Sequence, residues 1–431
     1  MKYLPNEVLR REMLSEIGIS DLFSDLPQNL RIELELPSPL SEIEVRRELE
    51  RILKKNKKIL SFLGAGCYNH YIPSVVKELV RRSEFYTSYT PYQPELSQGM
   101  LQALFEYQSL MAELLEMDIV NSSMYDWSTS LSEAALMCLR VTSRREFLIP
   151  KIISHERRGC LKTYTASKLK ILEVEHDERG QLSLEDLKSK LSQKTCGVYL
   201  EYPYFYGFFE EKLKEISEMV HENGSLFLVG VDPMSLGILK PPEADIVVGE
   251  AQGLGNSMNF GGPLLGIFAI RDSRLVRKMP GRLIGMTQDL EGERGYIMTL
   301  QTREQHIRRG RATSNICTNE ALCALSSAIY LSLMGRQGLK EMAELCMRNA
   351  NYTMERIKDI EGFTSPLYDS IHFKEFTVAH DKMRRIDARL LSHKIQGGFL
   401  LDEKTALYCV TEMHSREDVE RLLKALREVS L

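Results

Sequence analysis

The strongest constraint on the fold is an alternation of short apolar runs with stretches of helical spacing, between about Val120 and Ile270. The runs have the length and boundaries of buried strands, and segments such as LSLEDLKSKL and FEEKLKEISEMVHEN lie between them. Because parallel neighbours need a crossover connection, this alternation predicts an α/β fold, a mostly parallel sheet with helices on both faces. The apolar runs are REFLIP, KLKILEV, CGVYLEYP, SLFLVGVD, ADIVVGE and PLLGIFAI.

The N-terminal region lacks this alternation, and its pattern is typical of helices. The segment NEVLRREMLSEIGI places Leu9, Met13 and Ile17 on one face, with Asn6 positioned to cap the first amides. A charged helix is predicted over about Ser41 to Asn56. We therefore expect an N-terminal helical segment whose first helix docks on the rest of the protein.

The tail of the chain, from about Asn319, begins with an apolar helix and ends with the strand ALYCVTE and a further helix. Ser415 and Asp418 resemble a capping box at the start of that last helix. These elements predict a separate small α+β domain. The expected division is an N-terminal helical segment at 1–60, a large α/β domain at 61–318 and a small α+β C-terminal domain at 319–431.

Composition argues against several classes of function. Lys and Arg number 56 against 60 Asp and Glu, so the net charge of -4 offers no basic field for nucleic acid. The eight cysteines lie far apart, with neither a C-x-x-C pair nor metal-ligand spacing, which favours reduced thiols in a cytoplasmic protein without a metal site. The longest uncharged apolar stretch, from Ala321 to Gly335, falls short of the ~20 residues that cross a bilayer. We expect neither a nucleic acid nor a membrane partner.

Polar residues are expected beyond the carboxyl ends of the strands, where ligands of such sheets bind; they include Asp126, Tyr204 and Asp232. In pyridoxal phosphate enzymes of the aminotransferase fold, an aspartate at the place of Asp232 pairs with the pyridine nitrogen. By itself, an aspartate after a strand is more often a turn former or a helix cap. One strand later, the glycine-rich loop GEAQGLGNSMNFGGP lacks the expected lysine nucleophile, and the nearest lysines are Lys240 and Lys278.

The segment SMYDWSTSLSEAALM holds hydroxyl residues at the start of a predicted helix. Ser128, Thr129 and Ser130 precede that helix, and Glu133 is its expected capping glutamate. A helix N-terminus with hydroxyls favours an anion such as a phosphate, although simple capping explains the pattern equally well. Trp127 beside the turn would crowd a phosphate.

Two further segments carry residues suited to a polar ligand. In SEFYTSYTPYQPELSQG, within a long loop predicted over 62–95, Tyr86, Tyr89 and Tyr92 alternate with small or polar residues. Such rigid tyrosines suit an interface that also touches a polar ligand, or else pack on their own domain. The segment LQTREQHIRRGRATSNICTN places four arginines ahead of Thr313, so it either clamps a phosphate or carboxylate or forms a solvated helix end.

Several of these stretches together resemble one family. FLGAGCYNHYIPSVV, EFYTSYTPYQPELSQGMLQALFEYQ, SMYDWSTSLSEAALM and MTLQTREQHIRRGRATSNICTNEAL closely resemble the N-terminal subunit of the two-chain glycine decarboxylase, the P-protein of the glycine cleavage system. The likeness spans nearly the whole chain. It implies a fold type I, aminotransferase-like subunit that pairs with a homologous second subunit carrying the pyridoxal phosphate lysine. Gly253 then falls about where that lysine would be, which accounts for the glycine-rich loop.

The resemblance implies that this chain has no catalytic residue of its own and that pyridoxal 5'-phosphate is bound covalently by the partner subunit. Glycine is decarboxylated there with release of carbon dioxide, and its aminomethyl group passes to the lipoyl arm of the H-protein. Thr313 resembles a hydroxyl residue that reaches the phosphate of the cofactor in the neighbouring chain. The residues expected near glycine or the lipoyl channel are Asn69, His70, Tyr89, Tyr92, Gln93 and Glu95.

Three positions depart from the pattern of many relatives: Asn69 replaces aspartate, Trp127 replaces glycine, and Arg311 replaces lysine. Asn69 removes a candidate base, and Trp127 indicates that the phosphate pocket of this chain is closed. Two other functions remain open at this stage. The chain is either a scaffold or regulatory pseudoenzyme that only stabilises its partner, or an independent pyridoxal phosphate enzyme that uses a remote lysine such as Lys240 or Lys278.

Overall fold

The structure of the protein is a computed structural model that describes residues 9–21, 23–32, 35–86, 91–316 and 319–430. The chain divides into two compact units, Met1–Lys58 and Ile59–Leu431. The predicted boundary after residue 60 falls close to this division.

Two helices of the first unit agree with the predicted helical segment: α1 (Arg10–Glu16) and α2 (Glu42–Leu53). α2 begins with a capping box, because the Glu44 amide donates to Ser41 Oγ and the Ser41 amide donates to Glu44 Oε2. Asn6, the predicted cap of the first helix, lies outside the described residues. Docking of α1 on the rest of the protein stays a prediction.

The strands of the second unit include all six apolar runs of the sequence. β3 to β8 correspond to those runs in order. The strands are β1 (Leu60–Ser61), β2 (Ile119–Val120), β3 (Glu146–Pro150), β4 (Lys170–Val174), β5 (Thr195–Tyr202), β6 (Leu226–Val231), β7 (Ile246–Glu250), β8 (Gly266–Ile270), β9 (Leu283–Gln288), β10 (Arg294–Thr299), β11 (Glu375–Ala379), β12 (Ile395–Gln396), β13 (Phe399–Leu400) and β14 (Thr405–Cys409).

The central sheet has seven strands in the order β2-β8-β7-β6-β5-β3-β4. β3 to β7 pair in parallel, whereas β8 runs antiparallel to both of its neighbours. The sheet is therefore mostly parallel, as predicted, with its antiparallel part at one edge. The carboxyl ends of β5, β6 and β7 meet along one side of the sheet, where ligands of such folds bind.

Both faces of this sheet are buried, which explains why its strands are continuous apolar runs. Successive residues of one strand point to opposite faces. Leu228 packs in a core cluster with helix residues 127–138, whereas Val229 packs in a second cluster on the other face. Val247 and Val248 divide between the two clusters in the same way.

The helices of the second unit cover these faces and build the C-terminal part. The longest, α11, contains a kink at Gly335, where φ is 59° and the backbone leaves helical geometry. The helices are α3 (Ser74–Val80), α4 (Ser83–Tyr86), α5 (Gln98–Leu115), α6 (Trp127–Thr142), α7 (His155–Thr165), α8 (Leu184–Lys190), α9 (Leu213–Glu222), α10 (Gln305–Arg308), α11 (Ala321–Lys358), α12 (Met383–Leu390) and α13 (Arg416–Ser430).

The C-terminal part has its own apolar cluster, formed by residues of α11 to α13 and of the sheet β11-β14-β13. The predicted capping box of the last helix is confirmed, because the Asp418 amide donates to Ser415 Oγ and the Ser415 amide donates to Asp418 Oδ2. Phe62 joins this cluster, and β1 pairs with β12. The division between 61–318 and 319–431 stays a prediction, and the segment around Phe62 crosses it.

The stretch 62–95 is not one long loop, as the sequence predicted. It contains α3, α4 and a short 3-10 turn at Pro94–Leu96. The prediction failed because these helices are short, and α3 buries only Val76, so their periodicity is weak. Over the described residues, no helix combines the length and apolar character that a membrane crossing requires.

Candidate functional site

A buried ion pair lies at the carboxyl end of β6, where the sequence predicted Asp232. The carboxylate of Asp232 accepts a hydrogen bond from the Met234 amide, and its Oδ2 lies 2.6 Å from Nζ of Lys374. Lys374 directly precedes β11, so the pair joins the C-terminal part to the central sheet. Burial lowers the pKa of Lys374, but Asp232 together with Cys409 and Cys346 outweighs burial, and the net shift is upward. The side chain of Lys374 is therefore an ammonium.

His70 continues this pair into a chain of polar contacts. Its Nε2 lies 2.9 Å from Nζ of Lys374, and its Nδ1 lies 2.8 Å from Oε2 of Glu412. Because an ammonium only donates, Nε2 must accept, which assigns the ring proton to Nδ1 and makes it the donor to Glu412. Burial and the neighbouring Lys374 lower the pKa of His70, so the ring is neutral.

Glu412 is the anionic end of this chain. Its carboxylate also accepts from the Tyr71 amide at 2.6 Å and from Sγ of Cys346 at 3.0 Å. Burial alone would raise the pKa of Glu412, but the hydrogen bonds from His70, Cys346 and the Tyr71 amide lower it to about 2. We call these groups the Lys374 cluster, whose members are Asp232, Lys374, His70, Glu412 and Cys346.

Tyr68 and Glu375 pack beside the Lys374 cluster. The ring centroid of Tyr68 lies 3.5 Å from Nζ of Lys374, and its hydroxyl donates to Glu375 at 2.8 Å. Glu375 also accepts from the Ala65 amide at 2.6 Å, and burial raises the pKa of this carboxyl to about 7. The backbone of Tyr68 exchanges two hydrogen bonds with the side chain of Gln252, which ties this segment to the loop after β7.

Gly253 lies in the loop after β7, where the sequence comparison placed the missing lysine. A Cβ atom at this position would lie 2.8 Å from Cδ2 of His70. Real Cβ atoms essentially never come so close to another heavy atom, so the imidazole occupies the space that a side chain at 253 would need. The loop therefore lacks a lysine amine, and His70 occupies the space beside Gly253.

The N-terminus of α6 is occupied by two carboxyl groups. Asp126 caps the helix by accepting from the Thr129 amide at 2.7 Å, and Oε2 of Glu250 accepts from the Trp127 amide at 3.2 Å. Burial and the nearby Asp126 raise the pKa of Glu250 to about 8. The predicted helix start was wrong, because Asp126 rather than a later residue is the cap, and Glu133 instead accepts a hydrogen bond from Ser314.

Pyridoxal phosphate, which an aminotransferase-like fold implies, does not fit these residues. The resemblance places the lysine that would bind it at about Gly253, and His70 fills the space beside this glycine. Asp232, the expected partner of the ring nitrogen, is already paired with an ammonium. Two first-turn amides of α6 that an anion would need, those of Trp127 and Thr129, already donate to Glu250 and Asp126.

A second group of polar residues lies around Tyr92. Nη2 of Arg282 donates to the Tyr92 hydroxyl at 2.6 Å, and the guanidinium lies 5.1 Å from the centroid of the Tyr92 ring. Oε2 of Glu304 lies 3.6 Å from Nε of Arg282 and 3.6 Å from Nδ1 of His306. We call Tyr92, Arg282, Glu304 and His306 the Tyr92 cluster. All but Arg282 line a cavity of about 490 Å³ that also touches Arg309.

Thr313 adjoins this cluster. It is half-buried, its amide donates to the carbonyl of Arg303 at 2.9 Å, and it lines a small crevice together with Arg282 and Glu304. Arg303 does not clamp a ligand, since its guanidinium donates to the carbonyls of Met279, Gly281 and Leu300. The other three arginines of this segment are exposed.

The predicted binding residues fall into two groups. His70 belongs to the Lys374 cluster, and the neighbouring Asn69 is exposed. Tyr92 gives its name to the other cluster, beside the exposed side chains of Gln93 and Glu95. Tyr89, also predicted, lies outside the described residues. Their roles in binding stay predictions.

Sequence reasoning missed Lys374, Glu412, Arg282 and Glu304. Only Lys374 left a usable signal: together with Glu375 it interrupts the apolar run around HFKEFTV, and a charged pair within a buried strand calls for a buried partner. Nothing in the local sequence indicates that the partner is Asp232.

Comparison with known proteins agrees with this architecture. The family described as glycine cleavage system P-protein matches residues 1–426 of the chain. A relative from Thermococcus kodakarensis, named probable glycine dehydrogenase (decarboxylating) subunit 1, is 52% identical, and the match covers 99% of this chain and 98% of the relative.

Two solved structures resemble this chain, one in both sequence and fold and the other in fold alone. A crystal structure of glycine decarboxylase (P-protein) of the glycine cleavage system, in inhibitor-bound form, superposes with a TM-score of 0.89 at 40% identity and covers 100% of both chains. The apo structure of a cysteine desulfurase from Thermococcus onnurineus, at 18% identity and a TM-score of 0.62, covers 92% of this chain and 100% of the desulfurase, and shows likeness of fold alone. The family match and the identity over nearly the full length together show that this chain belongs to the glycine cleavage system P-protein family.

Proposed function

We propose that this chain is the subunit of a glycine decarboxylase that does not carry the coenzyme lysine. A second subunit binds pyridoxal phosphate covalently, and the two together decarboxylate glycine, release carbon dioxide and transfer the aminomethyl group to the lipoyl arm of the H-protein. The name "subunit 1" of the relative, matched over nearly its whole length, supports a two-chain enzyme. A cytoplasmic location stays a prediction.

One observation carries this proposal: the groups that would bind a coenzyme in this chain are already engaged with each other. The ammonium of Lys374 is held on Asp232, and Gly253 faces His70. The two lysines considered as remote nucleophiles are exposed: Lys240 pairs with Glu243, and Lys278 ends a 3-10 turn. Neither lysine belongs to the Lys374 cluster, which contains Asp232. This argues against an independent pyridoxal phosphate enzyme.

The contribution of this chain to the shared reaction is proposed to come from the Tyr92 cluster. Arg282 fixes the Tyr92 hydroxyl at 2.6 Å while the side chain of Tyr92 stays 43% exposed. The cavity beside it is lined by Glu304, His306 and Arg309 among others, so it is suited to orient a polar ligand shared with a second subunit. Thr313 adjoins the same residues, in keeping with the role proposed for it at the neighbouring cofactor phosphate.

Reconstitution tests the proposal. The purified chain, the second subunit, lipoylated H-protein and pyridoxal phosphate are combined, and release of labelled carbon dioxide from glycine is followed. We expect turnover only when both subunits are present. After borohydride reduction, mass spectrometry should find the phosphopyridoxyl adduct on the second subunit alone. Decarboxylation by this chain without its partner, or a stoichiometric adduct on it, would contradict the proposal.

A further inference from the structure

We propose that the Lys374 ammonium is a built-in substitute for the protonated ring nitrogen of pyridoxal phosphate: it pairs with Asp232 and keeps a pyridine ring away from that carboxylate. This deepens the proposed function, on which it rests in one respect, namely that this chain does not bind the coenzyme. Asp232 and Lys374 are assigned to the same role that aspartate and coenzyme fill in a coenzyme-bearing chain.

The geometry of Asp232 is the first reason. Its carboxylate stands directly after β6, at the carboxyl edge of a mostly parallel sheet, and its side chain is 7% exposed. A buried carboxylate without a cation costs several kcal/mol, so this position requires a positive partner. Lys374 supplies one from within the chain at 2.6 Å.

The surroundings of the ammonium are the second reason. An ammonium has three N–H donors, and three acceptors surround Lys374: Asp232 at 2.6 Å, Nε2 of His70 at 2.9 Å and the face of the Tyr68 ring at 3.5 Å. The site is thus built for a fixed cation rather than left as a cavity. A pyridinium ring placed on Asp232 would have to displace this side chain.

At the N-terminus of α6, protein groups likewise occupy the place that the coenzyme would need. A coenzyme phosphate would need the N-terminal amides of α6, and there the carboxyl groups of Glu250 and Asp126 accept from the amides of Trp127 and Thr129. Lys374 therefore takes the place of the ring nitrogen, and the carboxyl groups of Asp126 and Glu250 take the place of the phosphate. In the folded chain, the protein itself therefore satisfies both Asp232 and the N-terminus of α6.

Stability measurements on single and double variants of the isolated full-length chain test the ion pair. We expect Lys374→Ala to raise the equilibrium constant of unfolding about a hundredfold or more, since Asp232 then stays buried without a cation. The double variant D232N/K374M, in which neither charge remains, is expected to lie within about tenfold of wild type. Lys404→Ala is the matched control, because Lys404 forms an exposed pair with Asp381. A loss from Lys374→Ala no larger than that of the control would overturn the proposal.

Rescue by pyridine and by propylammonium separates a coenzyme substitute from an ordinary ion pair; pyridine takes up a proton from solvent when it pairs with Asp232. Pyridine, added to Lys374→Ala, is expected to lower its unfolding constant about tenfold at ten times its dissociation constant, with no effect on wild type or Lys404→Ala. Propylammonium, which has the atoms removed by the substitution, is the positive control. Rescue by propylammonium but not by pyridine, or rescue by neither, would overturn the proposal.

Two precautions keep the result decisive. If Lys374→Ala does not fold in buffer alone, it is refolded with and without pyridine, and the soluble yield becomes the measurement with the same expected direction. The experiment uses no glycine turnover, so its failure leaves the two-subunit function standing. An adduct of pyridoxal phosphate on wild-type chain would instead contradict the two-subunit function and this inference together, even if the rescue of the variant succeeded.

Discussion

The Lys374 cluster and the Tyr92 cluster contain similar chemical groups, but they differ in how far their polar atoms are exposed. In the first, the side chains of His70 and Lys374 are only 1% and 2% exposed, and their polar atoms bond to one another. In the second, a buried arginine holds a tyrosine that is 43% exposed beside a cavity. Polar groups whose bonding capacity is used internally stabilise the fold, whereas groups left facing a cavity remain able to bind a ligand or a partner.

The difference matches the proposed function, in which the Lys374 cluster stabilises the fold and the Tyr92 cluster contacts a ligand or a partner. The carboxyl end of the sheet still carries Asp232, but its charge is neutralised by the protein itself. The segment that contains α10 still lines the cavity beside Tyr92, and the hydroxyl residue Thr313 follows it. We therefore expect substitutions in the Lys374 cluster to change stability, and substitutions in the Tyr92 cluster to change activity of the assembled enzyme.

The largest effect is expected from His70→Ala. This change removes the acceptor of Lys374 and the donor of Glu412, so two buried charges each lose a partner. We expect the free energy of unfolding to fall by about 3 to 5 kcal/mol in denaturant titration of the isolated chain. His221→Ala is the control, because His221 bonds Asp245 at 2.9 Å on the surface. Equal losses in the two variants would show that the Lys374 cluster does not stabilise the fold.

Acid should weaken the Lys374 cluster next. The pKa of Glu412 falls from its ordinary value of 4.5 to about 2 on folding, so the unfolded chain takes up the proton first as pH decreases. The stability that Glu412 contributes is complete above pH 4.5 and is lost between about pH 4.5 and pH 2, amounting to about 2 kcal/mol by pH 3. Between pH 6 and pH 3, the free energy of unfolding should fall by about 2 kcal/mol more in wild type than in Glu412→Gln; equal losses in the two proteins would contradict the assignment.

A smaller loss is expected from Gly253→Ala. The added Cβ would lie 2.8 Å from Cδ2 of His70, so the imidazole must move and its hydrogen bonds lengthen. Overpacking of this kind costs about 1 to 3 kcal/mol in unfolding free energy. Gly310→Ala is the matched control, since a Cβ there meets no atom within 4 Å. If both alanine variants keep the stability of wild type, His70 does not block position 253.

The smallest stability change and the clearest activity change should come from Tyr92→Phe. Loss of the hydroxyl removes one acceptor of Arg282, which costs about 1 kcal/mol or less at a half-exposed site. Turnover of the reconstituted two-subunit enzyme is expected to fall several-fold while the complex still assembles. Tyr352→Phe, which removes an exposed hydroxyl bonded to Glu420, should leave turnover unchanged. Full turnover of Tyr92→Phe would favour the scaffold function over a contribution to the shared site.

The sheet could be predicted from the sequence because its information is local. Each apolar run from REFLIP to PLLGIFAI became a strand, and the start of the last helix was marked by Ser415 and Asp418. The start of α6 was misplaced because Asp126, rather than the serines and threonine after it, is the cap. The short helices within 62–95 were missed for the same local reason, since they bury too little to show a period.

The sequence by itself determined the mostly parallel sheet, the position of Asp232 after a strand and the absence of a lysine in the loop that contains Gly253. These follow from the period of apolar residues and from residue identity, which neighbouring positions in the chain are enough to specify. Only the tertiary structure brought Lys374 onto Asp232, His70 against Gly253 and Tyr92 to Arg282. Those pairs depend on how distant segments pack, and buried charges find their partners through that packing rather than through spacing along the chain.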